Sequence, residues 1–140
     1  MDVSVSSPPK TIRVTPEEDR CLRKAREVFD VPLSQLVQYA VSEAAHRLGF
    51  YSDVLELPAK PKRPWPDTPD RREESATKRI SVSLDPFTTD LLERATTHVD
   101  VGESLFILGA TFRFIARAKA AFPERKFRSL IVPRKYEMTS

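Results

Sequence analysis

A repeat of 70 residues constrains the fold of this chain more than any other feature of its sequence. Residues 11–47 align with residues 81–117 without a gap, and eight of the 37 positions are identical. Several apolar positions that are not identical are filled by another apolar residue, as in the pairs Ile12/Val82, Val14/Leu84, Phe29/Val99, Leu36/Phe106 and Val37/Ile107. The chain therefore consists of one small unit, a connector, and the same unit again.

Each unit begins with a short run in which apolar and polar residues alternate. The runs are Thr11–Val14 and Arg79–Leu84. Alternation with a period of two and β-branched residues predicts a strand that buries one face. The residues predicted to point inward are Ile12, Val14, Ile80, Val82 and Leu84, and those predicted to point outward are Thr11, Arg13, Arg79, Ser81 and Ser83.

Two helices are predicted to follow each strand. The pairs Thr15-Pro16 and Asp85-Pro86 place a helix-capping residue before a proline, the residue type favoured at the first helical position. After a short turn, a second helix is predicted from about residue 33 to 48 in the first unit and from about 103 to 121 in the second.

One strand and two helices bury too little apolar surface to fold alone, and a lone strand leaves its hydrogen-bonding edges open. Pairing the two units solves both problems. The predicted fold is therefore α+β and mostly α, with the two strands paired antiparallel and four helices on one face of this ribbon, as an intramolecular pseudo-dimer.

Composition and charge divide the chain into five segments. We predict a disordered N-terminal arm (1–9), a first repeat (10–49), a proline-rich basic linker (50–77), a second repeat (78–122) and a basic C-terminal tail (123–140). Residues 58–80 and 122–140 each carry a net charge of +3, whereas the repeats are nearly neutral. Basic segments beside folded units indicate a polyanionic partner, nucleic acid before membrane, or equally a solubilising linker and tail.

The same composition excludes most other classes. One cysteine and three scattered glycines leave no disulfide framework, thiolate zinc cluster or phosphate-binding loop. No apolar run approaches the roughly 20 residues of a transmembrane helix, and the N-terminus lacks a secretory signal pattern. Cys21 is predicted to be a core thiol, and His46 and His98 have no partner pattern. We expect a protein of intracellular type that is not an enzyme and needs no cofactor or metal.

Both units resemble the ribbon-helix-helix family of the Arc and MetJ repressors. The matching features are the alternating strand, the capped first helix and the opening Val-x-x-Ser-x-(Leu/Phe)-(Val/Ile) of the second helix, at Val31–Val37 and Val101–Ile107. The resemblance covers both repeats and leaves the linker and tail outside it. Most members assemble two chains, so a tandem copy is more similar to single-chain members such as accessory proteins of plasmid transfer.

The resemblance implies sequence-specific binding of double-stranded DNA through a β-ribbon in the major groove, in a transcriptional repressor or a plasmid-transfer accessory factor. Base-reading residues would be Thr11, Arg13, Arg79, Ser81 and Ser83, with Arg13 the strongest candidate because arginine can bind guanine with two hydrogen bonds. Phosphate contacts would come from Leu33, Ser34, Glu103 and Ser104 at the starts of the second helices, and from Lys60, Lys62 and Arg63 in the linker.

Two departures from the family pattern qualify these roles. Pro32 removes one backbone donor, and Glu103 places a negative charge beside the second phosphate site unless it turns away. Ser34 and Ser104 are also predicted to cap their helices. Because the two reading faces differ, we expect an asymmetric site contacted mainly through the first strand.

Several partners remain open at this point. A second copy on an adjacent site, a relaxase-type protein or a toxin are candidates, and a cytoplasmic, nucleoid-associated, prokaryotic setting fits all three. The alternative function is an antitoxin-like protein whose C-terminal tail orders on a partner protein and neutralises it, while the ribbon represses the protein's own promoter. The apolar stretch 105–108 with Phe112, Phe114 and Ile115 is predicted to pack in the core, or else to leave a hydrophobic face for a second molecule. Three possibilities stay open for the tail: it packs on the second helix of its unit, contacts DNA or folds onto another protein.

Overall fold

The computed structural model describes residues 9–49, 78–122 and 124–133. Within them the chain has an α+β fold, mostly helical, with one two-stranded antiparallel sheet and five helices. The elements are β1 (Lys10–Val14), α1 (Pro16–Phe29), α2 (Leu33–Arg47), β2 (Lys78–Val82), α3 (Pro86–Val99), α4 (Glu103–Ala121) and α5 (Arg125–Arg128). The order strand, helix, helix thus occurs twice, as predicted, and α5 is a fifth helix that the sequence did not indicate. The predicted arm up to residue 8 and the whole of the predicted linker lie outside the described residues.

The antiparallel pairing of the two strands is confirmed, and its register defines the middle of the ribbon. Thr11 lies opposite Ser81, and these two residues occupy equivalent positions of the 70-residue repeat. The predicted bounds of the second strand were wrong, because β2 begins one residue earlier, at Lys78, and ends at Val82. Continuing the register would place Ser83 opposite Pro9, and proline has no N–H to donate to the ladder.

The core lies under one face of the ribbon and repeats with the same offset. Equivalent positions are buried in both units, as shown by the pairs Ile12/Val82, Val14/Leu84, Leu22/Leu92, Leu36/Phe106 and Val37/Ile107. Helices α2 and α4 pack on each other, and α4 also packs against β1. The predicted alternation is therefore confirmed for these strand residues, and each unit buries its apolar face against the other.

The first turns of α1 and α3 are closed in different ways. In α1 the Thr15 hydroxyl accepts a hydrogen bond from the Glu18 N–H (3.1 Å), and the Glu18 carboxylate accepts one from the Thr15 N–H (2.9 Å). In α3 the Asp85 carboxylate accepts from the Thr88 N–H (2.6 Å). Because position 88 holds threonine instead of glutamate, the Asp85 N–H donates to the side-chain oxygen of Gln38 in α2 (3.0 Å).

This contact predicts a specific cost for the loss of Gln38. We expect Gln38→Ala to lower the free energy of unfolding by about 1 kcal/mol, because the Asp85 N–H loses its protein acceptor. Urea unfolding followed by circular dichroism measures the change. Gln35→Ala, one turn earlier on the same helix, is the control: it removes an exposed hydrogen bond to the Tyr39 hydroxyl within the helix (2.8 Å) and should change stability by less than about 0.5 kcal/mol. Equal effects of the two substitutions would contradict the assignment.

Helix α4 is buried on all sides in its middle. Seven consecutive residues, from Phe106 to Phe112, are buried, and so is Ile115. Leu105 and Phe114 are half-buried. The predicted core packing of this apolar stretch is confirmed, and the alternative of an uncovered hydrophobic face is wrong for it. Across the described ranges, no helix combines the length and apolar character needed to cross a membrane.

Candidate nucleic-acid interface

The outward face of the ribbon is polar and open. Thr11, Arg13, Arg79 and Ser81 are exposed, and Ser83, which follows the end of β2, is exposed as well. Thr11, Arg13, Arg79 and Ser81 therefore lie on one face of the ribbon, and Ser83 lies just beyond the end of β2. The helices cover the opposite face of the ribbon, where Ile12, Val14 and Val82 are buried.

The two arginines of this face lie directly opposite each other. Arg13 pairs with Arg79 in the register of the ribbon. The position equivalent to Arg13 in the second unit is Ser83, and the position equivalent to Arg79 in the first unit is Pro9. We call the end of the ribbon with Arg13 and Arg79 the arginine end. The other end, which adjoins Pro9 and Ser83, is called the serine end. Like charges directly opposite each other on a sheet are destabilising.

The register adds a source of asymmetry that the sequence did not indicate, and the expected preference for the first strand stays a prediction. The sequence suggested that the first strand would make most contacts, because Thr11 and Arg13 align with Ser81 and Ser83. In the structure each strand contributes one arginine to the same end. The two ends of the ribbon therefore differ in charge, and the two strands do not.

Ser34 and Ser104 do not cap their helices as predicted. The N-cap residues are Pro32 and Gly102, and neither helix receives a side-chain cap hydrogen bond within the described residues. Instead the Ser104 hydroxyl accepts a hydrogen bond from the Arg13 N–H (3.0 Å), and the Ser34 hydroxyl accepts one from the Ser83 N–H (2.8 Å). Each serine thus binds the N-terminus of a helix to the strand of the other unit. Their predicted phosphate contacts stay a prediction.

Glu103 is neutralised by a lysine of the other unit. The Lys10 ammonium lies 3.2 Å and 3.4 Å from the two carboxylate oxygens of Glu103, and 3.9 Å from Glu93. The charge that was expected to weaken phosphate binding at α4 is therefore paired. The equivalent residues in the other half are Ile80 and Leu33, both partly buried against the core. With its side chain packed there, Leu33 can offer a phosphate its backbone N–H group.

A second lysine, next to the arginine end, forms an ion pair with a carboxylate of α1. The Lys78 ammonium lies 3.0 Å from the carboxylate of Asp19, which is also 3.1 Å from Arg23. The Asp19 side chain is only 9% exposed. Acidic residues of the helices therefore hold the lysines at both ends of the ribbon, whereas Arg13 and Arg79 lie on its exposed face.

Cys21 is confirmed as a core residue. It is 2% exposed, and burial together with the negative charge of Glu17 raises the pKa of its thiol to about 11. A thiol with this pKa stays protonated at neutral pH and is a poor nucleophile. His46 is exposed and His98 is half-buried. The described residues contain no group of three or more His, Cys, Asp or Glu side chains that could hold a metal ion.

The described part of the tail packs on the folded body. Leu130 is 1% exposed within the core, and the Phe127 ring lies 5.6 Å from the ring of Phe29 and 5.1 Å from that of Phe122. Of the three possibilities predicted for the tail, packing on the helices is observed for residues 124–133. The linker cations Lys60, Lys62 and Arg63 lie outside the described residues, so their predicted phosphate contacts stay predictions.

No protein-family model, curated protein or solved structure matches this chain. Its function must therefore be inferred from the geometry and charge of the site.

Proposed function

We propose that this protein is a tandem ribbon-helix-helix protein that binds double-stranded DNA and reads its sequence through the ribbon. The observation that carries the proposal is the exposed polar face on which Arg13 and Arg79 lie opposite each other. The major groove is about 12 Å wide and admits a two-stranded ribbon. Arginine can bind guanine with two hydrogen bonds. The hydroxyls of Thr11 and Ser81 can each donate a hydrogen bond to a base or accept one from it.

The proposal includes the pairing of the two repeats as an intramolecular pseudo-dimer. Equivalent contacts in both halves support it, since Ser34 binds Ser83, just after β2, and Ser104 binds Arg13 at the same 70-residue offset. Asp30 and Asp100, which end the first helix of each unit, also share a left-handed backbone conformation with φ of 56°. The N-termini of α2 and α4 then flank the ribbon and present backbone N–H groups to DNA phosphates.

The position of the tail favours DNA binding over the antitoxin-like alternative. That alternative requires a C-terminal segment that orders on its target. Leu130 is instead buried in the core of the isolated chain, and Phe127 packs on Phe29. We therefore propose a role as a repressor or a plasmid-transfer accessory factor, in a cytoplasmic, nucleoid-associated setting. A second copy or a relaxase-type protein on adjacent DNA is the partner that this role implies.

Selection of bound duplexes from a random DNA pool tests the proposal. We expect an enriched motif that is not palindromic, with guanines concentrated on one side, because the two arginines of the ribbon lie at one end. The double variant Arg20→Ala/Arg94→Ala removes two exposed helix arginines that lie off the ribbon, and it should select the same motif. Failure of the wild-type chain to bind any duplex at low salt would contradict the proposal.

A further inference from the structure

The tail holds three cations in a fixed place on one side of the protein. Phe127 and Leu130 anchor it, through ring contact with Phe29 at the end of α1 and through burial in the core. Phe29 in turn lies 6.0 Å from Phe114 of α4. The three cations of α5, which neighbour these anchors in the chain, are all exposed; they are Arg125, Lys126 and Arg128. The anchors therefore position the charges instead of leaving them on a free tether.

The open depression at the end of α1 carries no net charge, because its two arginines are matched by two carboxylates. Arg23 and Arg26 line an open depression at the end of α1, together with Glu27, Asp30 and the residues of the following turn. Two acidic side chains of this helix already have cationic partners, since Asp19 is 3.1 Å from Arg23 and Glu27 is 4.0 Å from Lys24. Residues 124–133 themselves carry three cations and one acid, Glu124. The net charge of +2 on this side therefore comes from residues 124–133 alone.

The aromatic anchor of α5, Phe29, lies close in the chain to the start of α2, which contacts the serine end of the ribbon. Phe29 precedes Leu33, the first residue of α2, by four positions, which span at most about 15 Å of chain. The next residue, Ser34, is bound to Ser83 at the serine end. At this same end Pro32 removes a backbone donor from the start of α2, and the ribbon itself has no arginine there.

We propose that the docked tail is a second DNA-contacting surface, in which Arg125, Lys126 and Arg128 bind phosphates that flank the serine end. The inference rests on the proposed DNA-binding function. Cations exposed on a rigid surface contribute affinity without sequence information, because phosphates are the same at every base pair. The arginine end then supplies the specificity, and the tail supplies backbone contacts on the opposite flank.

Charge removal in the full-length chain tests the proposal. The triple variant Arg125→Gln/Lys126→Gln/Arg128→Gln is compared with Arg20→Gln/Arg47→Gln/Arg94→Gln, which removes the same charge from exposed positions of other helices. Binding to the selected duplex is measured across salt concentrations, and the bound region is mapped by footprinting. For three lost phosphate contacts, the slope of log affinity against log salt should fall by about 2.7 in the tail variant. The motif should be unchanged, and the footprint should shorten only on the side away from the guanines.

The possible outcomes separate this inference from the function on which it rests. An unchanged slope in the tail variant, an equal decrease in both triple variants, or a footprint shortened on both sides would overturn the role of the tail while leaving ribbon binding intact. Absence of duplex binding by the wild-type chain would overturn the proposed function itself.

Discussion

Replacing Arg13 or Arg79 with alanine is expected to weaken binding to the selected duplex more than any other single substitution on the ribbon. Loss of a two-hydrogen-bond contact to guanine costs about 1–3 kcal/mol, which corresponds to roughly 5- to 150-fold in affinity. Because the two arginines lie opposite each other, both substitutions should relax base preference on the same side of the site. Affinity measured on a series of single-base variants of the duplex shows where the preference is lost.

Ser83→Ala is the matched control for Arg13→Ala, because the two residues occupy equivalent positions of the repeat. Its expected effect on affinity is small and confined to the other side of the site. The loss of affinity in the double variant Arg13→Ala/Arg79→Ala should differ from the sum of the two single losses, since neighbouring residues couple. It should unfold at the same or a slightly higher urea concentration, because a like-charge contact is removed. Equal losses of affinity from Arg13→Ala and Ser83→Ala would contradict a one-ended arrangement of base contacts.

The secondary structure was predictable because its signals are local. Pro16 and Pro86 each follow a capping residue, and the structure begins α1 and α3 at these prolines. The alternation of apolar residues correctly separated Ile12 and Val82 from the exposed side chains of the ribbon. Such patterns report on the periodicity of one element, and they need no knowledge of what packs against it.

The register of the ribbon was not predictable in the same way. Alternation identifies the inward face of each strand, but several registers that differ by two residues keep the same faces buried. The opposition of Arg13 and Arg79 follows from one of these registers alone. The sequence therefore indicated which residues face outward, and it did not indicate which of them are neighbours.

Contacts between the repeats were not predicted for a related reason, although the sequence contains one indication of them. The repeats differ at positions that touch across the interface, where Lys10 and Glu103 replace the apolar Ile80 and Leu33. A comparison of such paired differences between the halves would have suggested the ion pair. The roles of Ser34 and Ser104 had no comparable signal, because serine at the start of a helix is an ordinary cap residue. The four-residue helix α5 is too short to show any periodicity.

Phe106→Ala is expected to have the largest effect on stability. Phe106 is fully buried in α4, and its equivalent in α2, Leu36, is 1% exposed. Truncation of a buried phenylalanine to alanine costs about 3–5 kcal/mol, because it removes apolar contacts and leaves a cavity. The free energy of unfolding of a typical domain is about 5–15 kcal/mol, so this substitution would remove a large fraction of it. Tyr39→Ala is the control, because that side chain lies on α2 and is 53% exposed; its expected change is below about 0.5 kcal/mol.

Urea unfolding of the Phe106→Ala chain also tests whether the two repeats form one cooperative unit. Each unit contributes one strand to the ribbon, and α2 packs directly on α4. Helix content and binding to the selected duplex should therefore be lost together, at a lower urea concentration than in the wild-type chain and in a single transition. Loss of helix content in two steps, or duplex binding that survives the first of them, would show that one repeat folds and binds without the other. A ribbon built from both strands has no such intermediate, because neither strand alone presents Arg13 opposite Arg79.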